Sequence, residues 1–299
     1  MAPPLRHVTV IRPSRELCGT TEEQFGELLA ALAPLAEEDK RLREERPDRK
    51  RRPGAGMRPR PFWLRLLVAL THLRQGSSVR ATAATFGVHE RSVRRWRDEV
   101  ERLLVAHGFR PPGATRPIRS LEDLDTHLRA LPEQHVLVDG TEVPRSSPGE
   151  WEAMKAAYSG KSRRHVAKGT VVADQSRRPV WFEADPAGEG RTHDLTMLRS
   201  QLGLLAVLAA TAVTVVADQA YRGLPADLGD GALVPIMKPR RRAFDPADAM
   251  WNKEHSRLRV PVEHAIGRMK WWRAMHEWRR PVEHFDRGGK AVGVLASIL

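Results

Sequence analysis

Cysteine is almost absent, Cys18 being the single one in 299 residues. Intramolecular disulfides and cysteine-built zinc sites are therefore excluded, a reducing cytosolic setting is favoured, and only His-carboxylate metal sites stay open. Long apolar runs are missing too. The most apolar stretch, LGLLAVLAATAVTVVA from Leu202 to Ala217, falls short of the roughly 18 residues that suggest a membrane span. It reads as the end of a helix followed by a buried strand. The N-terminal MAPPLRHVTVIRPSR has no continuous apolar core and lacks the form of a signal peptide. These absences predict a soluble cytoplasmic protein with no membrane partner.

Acidic residues are also in deficit, with 37 Asp and Glu against 50 Lys and Arg, a formal charge of +13 and a sequence pI near 10.7. Such an excess points to nucleic acid or another anionic surface without saying which. A hydrophobic content of 41% allows one large or two medium domains, each able to bury a core.

Along the chain, Thr21 to Arg46 reads as a helix whose Phe25, Leu28, Leu29, Leu32 and Leu35 make one apolar stripe, with a kink or split expected at Pro34. Lys40 to Arg60 holds ten basic residues and three acidic ones, interrupted by Pro47, Pro53, Gly54, Gly56 and Pro59. It reads as a flexible basic linker, either a solvated tether or a phosphate contact. Residues 1–60 thus form an N-terminal helix and linker.

PFWLRLLVALTHLRQG then opens on Pro61, turns Phe62, Leu66, Leu67, Leu70 and Leu73 inward and stops at Gly76. In VRATAATFGVHERSVRRWRDEV, Val79, Ala83 and Phe86 make one apolar face, Gly87 permits a tight turn, and Val93, Trp96 and Val100 make the next. That is helix-turn-helix spacing, placed in an all-α domain over 61–110, and it leaves Arg91, Ser92, Arg94, Arg95 and Arg97 on the exposed side of the second helix. Arg91, Arg94 and Arg95 are candidate contacts to guanine edges or phosphates in a major groove. An ordinary helical hairpin with a basic surface would read the same way. PPGATRP, Pro111 to Pro117, marks the next boundary.

After a short helix over Leu121 to Leu131 the texture changes to strands: HVLVDGTEV, GTVVADQS, RPVWFEAD and AVTVVAD, with LVPIMK as a possible fifth. A helical THDLTMLRSQLGLL lies between the third and fourth, so residues 118–299 predict an α/β domain with a mixed sheet. Asp139 and Asp218 each end a run apolar enough to be buried, a position that commonly faces a ligand site. If those strands are neighbours, the two carboxylates suit a hard cation such as Mg²⁺ or Mn²⁺. Either Asp alone fits a cap equally well. Pro261 suggests a helix starting there, which would put Glu263 in its first turn, as a third carboxylate or as a charge complementing the helix dipole.

The ordered set VDGTEVP, YSGKSRRHVAKG, GRTHDLTMLR, ADQAYRG and NKEHSRLRVPVEHAIGRMK resembles the DDE-superfamily endonuclease domain of bacterial insertion-sequence transposases related to the Harbinger elements. The resemblance covers about Glu133 to Trp278, and the preceding helix-turn-helix is similar to the DNA-binding segment of such transposases. It implies an RNase H-like fold and a catalytic, metal-binding triad of Asp139, Asp218 and Glu263, with separations of 79 (218 − 139) and 45 (263 − 218). Glu142, Asp194 and Glu254 fall beside that triad and His193 is a packing or outer residue. Two Mg²⁺ or Mn²⁺ ions, double-stranded DNA as partner, a homo-oligomer on DNA and a nucleoid association are implied as well; Lys270, sharing a helix face with Glu263, reads from its own place as a phosphate contact. The alternatives are a DNA-binding protein derived from a transposase that no longer cuts, and a nuclease that cuts without joining. Trp271 and Trp272 could stack on bases or pack in the core.

Overall fold

The computed structural model of the chain describes residues 11–45, 60–131, 135–187, 190–239 and 243–299. The chain divides into two compact units, 1–97 and 98–299. Pro111 to Pro117 therefore lies in the second.

In the first unit, α1 (Arg15–Cys18) and α2 (Glu22–Glu44) both start on side-chain caps. Ser14 Oγ accepts from the Leu17 N–H, and Thr21 and Gln24 form a reciprocal capping box. Phe25, Leu28, Leu32 and Ala36 are the buried stripe of α2. The helix runs unbroken through Pro34, contrary to the expected split. The proline removes the bond to the Ala30 carbonyl, but Ala30 and Pro34 are both exposed, so water can take that bond. Of the basic stretch Lys40–Arg60, residues 46–59 lie outside the described residues. Lys40, Arg41 and Arg43 pair with Glu37, Glu38 and Asp39 along the end of α2.

Three helices follow at the expected places: α3 (Phe62–Gln75), α4 (Val79–Phe86) and α5 (Glu90–His107). Ser78 Oγ caps α4, and Gly87 turns the chain with φ +59°, a left-handed value that costs glycine little. Val68, Ala83, Val93 and Trp96 form the shared core, with Leu64, Val79, Phe86 and Val88 packed against it. The helix-turn-helix is thus built from apolar residues at helical spacing in three successive segments.

In the second unit, α6 (Leu121–Arg129) precedes a six-stranded sheet of β1 (His135–Pro144), β2 (Tyr158–Ser159), β3 (Arg164–Ala173), β4 (Pro179–Ala184), β5 (Thr214–Ala217) and β6 (Ala232–Leu233). Between them lie α7 (Trp151–Ala157), α8 (Asp194–Ser200), α9 (Leu202–Ala210) and α10 (Pro225–Leu228), and α11 (Pro246–Lys270) and α12 (Phe285–Ile298) close the chain. β3 pairs antiparallel with β1 on one side and with β2 and β4 on the other. β5 is parallel to β1, and β6 to β5. An antiparallel hairpin flanked by parallel strands, with helices packed on it, is the expected RNase H-like arrangement.

Every residue of β3 from Val166 to Ala173 is buried, which requires cover on both faces of the sheet. α12 packs on β4 and β3, and α11 crosses β1, β3 and β5. The first approach is close: a Cβ on Gly289 would lie 2.1 Å from Phe182 Cε1, so only glycine fits there. LVPIMK contributes only Leu233 to the sheet. Beyond it, the Asn252 amide bonds both the N–H and the carbonyl of Ile236, at 2.8 and 2.9 Å, in place of a neighbouring strand.

Candidate active site

Parallel pairing of β1 with β5 sets Val138 opposite Ala217, so Asp139 and Asp218 come next to each other. Asp218 follows the end of β5 as expected, whereas Asp139 does not end its strand but lies midway along β1, which continues to Pro144 paired with β3. Both carboxylates are held by the backbone. Asp139 Oδ1 accepts from the Gly140 N–H at 2.8 Å, and Asp218 Oδ1 from the Ala220 N–H at 2.8 Å as the cap of a short 3₁₀ turn. Asp218 thus takes the capping role, in a place next to Asp139. Burial pushes Asp139 up to about 6; Arg259 opposes that rise, and Asp218 and Asp194 add to it.

Four further groups surround the pair. Arg259 Nη2 of α11 donates to Asp139 Oδ2 at 3.0 Å. Asp194, at the start of α8, lies so close to β1 that a Cβ on Gly140 would meet its carboxylate at 2.9 Å. Lys168 on β3 is buried and bonds Asp194 Oδ1 and the Thr192 carbonyl, both at 2.6 Å, with Glu142 Oε1 at 3.8 Å. Tyr221 is fully buried, its hydroxyl has no hydrogen-bond partner among the described residues, and its phenol is pushed well above the usual range by burial and by Asp194, Asp139 and Asp218. Sequence reasoning passed over Lys168 and Tyr221. A lone lysine inside the apolar HVAKGTVVA was the available signal for the first; for the second there was only its place in ADQAYRG.

Glu263 is located differently from expectation. α11 continues through Pro261, so Glu263 sits in the last turns of a 25-residue helix and the first-turn, dipole-complementing role does not apply. The carbonyl that the proline leaves unbonded belongs to Arg257, which is exposed, while Pro261, Val262, Ala265 and Met269 are buried against the unit's core. Glu263 itself is exposed. It lies one turn beyond Arg259 on the same flank of the helix, with Lys270 two turns further. Among the described residues no three His, Cys, Asp or Glu side chains are grouped closely enough to hold a metal. Two of the three expected ligands are thus brought together and the third is not.

Even so, the donor set fits a hard divalent ion. Asp139 and Asp218 offer adjacent oxygens, and a guanidinium already occupies a cation's place on Asp139. Of the neighbouring residues, Glu254 is exposed and paired with Arg257 at 2.5 Å, and His193 is exposed at the start of α8 rather than packed. Trp272 is in the core at 1% exposure, whereas Trp271 is exposed and meets it edge-on.

In the other unit, Arg91, Arg94 and Arg95 are exposed near the start of α5, where the His89 ring accepts from the Arg91 N–H at 3.0 Å. Arg94 is bonded to Glu90 at 3.1 Å. Arg97, expected on the same exposed side, is buried at 7% exposure. Past Trp96 the helix is buried on more than one face, so a single apolar stripe no longer describes it.

Residues 138–297 match the DDE superfamily endonuclease family, and residues 61–104 match the homeodomain-like domain. The chain is 26% identical over 227 residues, 75% of each chain, to a protein of Microchaete diplosiphon named a probable transposase for insertion sequence element IS702. It is also 26% identical over 280 residues, 91% of this chain and 90% of the other, to a protein of Streptomyces albus G provisionally named as the transposase for insertion sequence element IS112.

Proposed function

We propose, from the premise that this chain belongs to the DDE superfamily endonucleases, that it is an insertion-sequence transposase which binds element ends, cuts one DNA strand there and joins the freed end to target DNA. The observation that carries this reading is the pairing that sets Asp139, midway along β1, next to Asp218, just past the end of the parallel strand β5, in a unit whose helix α11 carries Glu263 and bonds Asp139 through Arg259. The DNA-binding segment is 61–110 and the catalytic domain 118–299. The chain works in the cytoplasm on the nucleoid as a homo-oligomer on DNA.

Asp139, Asp218 and Glu263 would hold two Mg²⁺ or Mn²⁺ ions, which when bound would activate the attacking oxygen and stabilise the leaving one. The chain's own part is positioning. Gly140 and Ala220 N–H groups fix the two aspartates, and the arginines of α5 hold the duplex. Lys270 neutralises phosphate near Glu263. In the cut, a water oxygen bonds to phosphorus as the 3′ oxygen leaves and takes up a proton. In the joining step that 3′-hydroxyl attacks a target phosphodiester, losing its proton as another 3′ oxygen departs.

One observation favours a second reading, a DNA-binding protein that occupies element ends without cutting. Among the described residues the three acids are not grouped, and Asp139 is engaged by Arg259. Sequencing the DNA flanking the gene for inverted repeats, then incubating the protein and Mg²⁺ with a labelled duplex of that flanking sequence and a supercoiled target, separates the readings. Nicked and joined products support the transposase. Nicks alone indicate a nuclease without joining activity, and binding without nicks supports the second reading.

A further inference from the structure

Both oxygens of Asp139 are engaged, Oδ1 by the Gly140 N–H and Oδ2 by Arg259. The two side chains of the ion pair are largely buried, Arg259 at 18% and Asp139 at 16% exposure. The guanidinium is only partly satisfied, since its Nε is buried with no hydrogen-bond partner among the described residues. Arg259 stands on α11 and Asp139 on β1, so one bond ties the helix to the strand at the point where the two aspartates meet. The other buried cation nearby, Lys168, is committed to Asp194 and the Thr192 carbonyl. Among the described residues Arg259 is therefore the cation that faces Asp139.

From this juxtaposition we propose that Arg259 is a positioning residue that holds the cation place on Asp139 until a divalent ion takes it, so that metal entry and release of the guanidinium are a single exchange. This rests on the reading of Asp139 as a metal ligand. Two cations at bonding distance from one carboxylate oxygen repel each other strongly in a site of low dielectric. The ion therefore binds only the fraction of molecules in which Arg259 has let go, and its apparent affinity is lowered by that fraction. Until then Arg259 serves as counter-charge to the largely buried carboxylate of Asp139. The exchange also gives α11 a reason to move. Glu263 follows Arg259 by one turn, and the bond that the ion breaks is a polar tie between that flank of the helix and β1, beside the apolar packing of Val262, Ala265 and Met269.

The test uses the full-length protein without DNA and follows Mn²⁺ binding by the loss of the free-ion paramagnetic resonance signal. Arg259→Gln should bind Mn²⁺ on the order of tenfold more tightly than the native chain, because the competing cation is gone. Arg259→Lys, which keeps the charge, should stay near the native value. Equal or weaker binding by a folded Arg259→Gln overturns the proposal, since a merely structural arginine would loosen the site when removed. Asp139→Asn separates this from failure of the underlying reading. Loss of Mn²⁺ binding in that variant leaves the metal site standing whatever Arg259 does, and unchanged binding removes both claims. Should Arg259→Gln fail to fold, the native Arg259 Nε–H resonance, identified by its absence in Arg259→Lys, decides. It should shift as Mg²⁺ saturates, and a resonance that stays fixed overturns the exchange.

Discussion

Val138 of β1 lies opposite Ala217 of the parallel strand β5, and this one pairing brings Asp139 and Asp218, 79 residues apart (218 − 139), next to each other where β5 ends beside the middle of β1. A shift of one residue would turn one carboxylate to the other face of the sheet. The register is held by buried side chains, Val136, Leu137 and Val138 against Val215, Val216 and Ala217. The site's first geometric requirement is thus met by packing.

The exposed start of α5 gives a prediction about DNA. Replacing Arg91, Arg94 and Arg95 together with Ala should weaken binding to element ends far more than to random duplex of the same length if they read bases, and equally on both if they touch phosphate alone. Because Arg94 is bonded to Glu90, Glu90→Ala should free it and tighten binding to any duplex, with a steeper dependence on salt. Fluorescence anisotropy at several salt concentrations measures both effects.

His107 makes the stability of the second unit sensitive to acid. Burial, with Arg110 and Arg119 adding, lowers it from 6.5 to about 4. Between those values the unfolded chain binds the proton and the folded chain does not. Its contribution is therefore fully present above pH 6.5 and is lost as pH falls toward 4, amounting to about 1–3 kcal/mol. Urea denaturation at pH 7.5 and pH 4.5 should show this loss in the native chain and a smaller one in His107→Gln.

Glu101 is fully buried and accepts from Arg280 Nη1 at 2.7 Å and Arg287 Nε at 3.3 Å. Arg280 and Arg287 also reach Asp98, at 3.5 and 3.6 Å, so Glu101→Ala should cost less than the roughly 3–5 kcal/mol of a wholly orphaned buried charge, about 1–3 kcal/mol. The urea midpoint of the variant against the native chain measures it. A change below about 0.5 kcal/mol would mean that the two arginines find other acceptors.

Much of this architecture can be read locally, and what cannot be read depends on distant contacts. HVLVDGTEV and AVTVVAD announce buried strands through short apolar runs rich in valine, and Gly76 and Gly87 announce helix ends. Nothing local says that α11 survives Pro261. That follows from the burial of Val262, Ala265 and Met269 and from an exposed Arg257 whose carbonyl can turn to water. Arg97 likewise reads as a surface residue because a helical stripe counts one buried face only. The contact of Arg259 with Asp139 spans 120 residues, and its charge alone makes it indistinguishable in sequence from its neighbours Arg257 and Arg268.

Strand cleavage by single-charge variants tests the central claim most directly. Each of Asp139→Asn, Asp218→Asn and Glu263→Gln should abolish cutting of a labelled element-end duplex in Mg²⁺ or Mn²⁺ while leaving DNA binding in Ca²⁺ intact, and combining them should cost no more than one alone, because the three act as a unit. Glu254→Gln, on the same helix but paired to Arg257 at its surface, should cut like the native chain. Robust cleavage by Glu263→Gln beside a dead Glu254→Gln would contradict the account and remove Glu263 from the catalytic set.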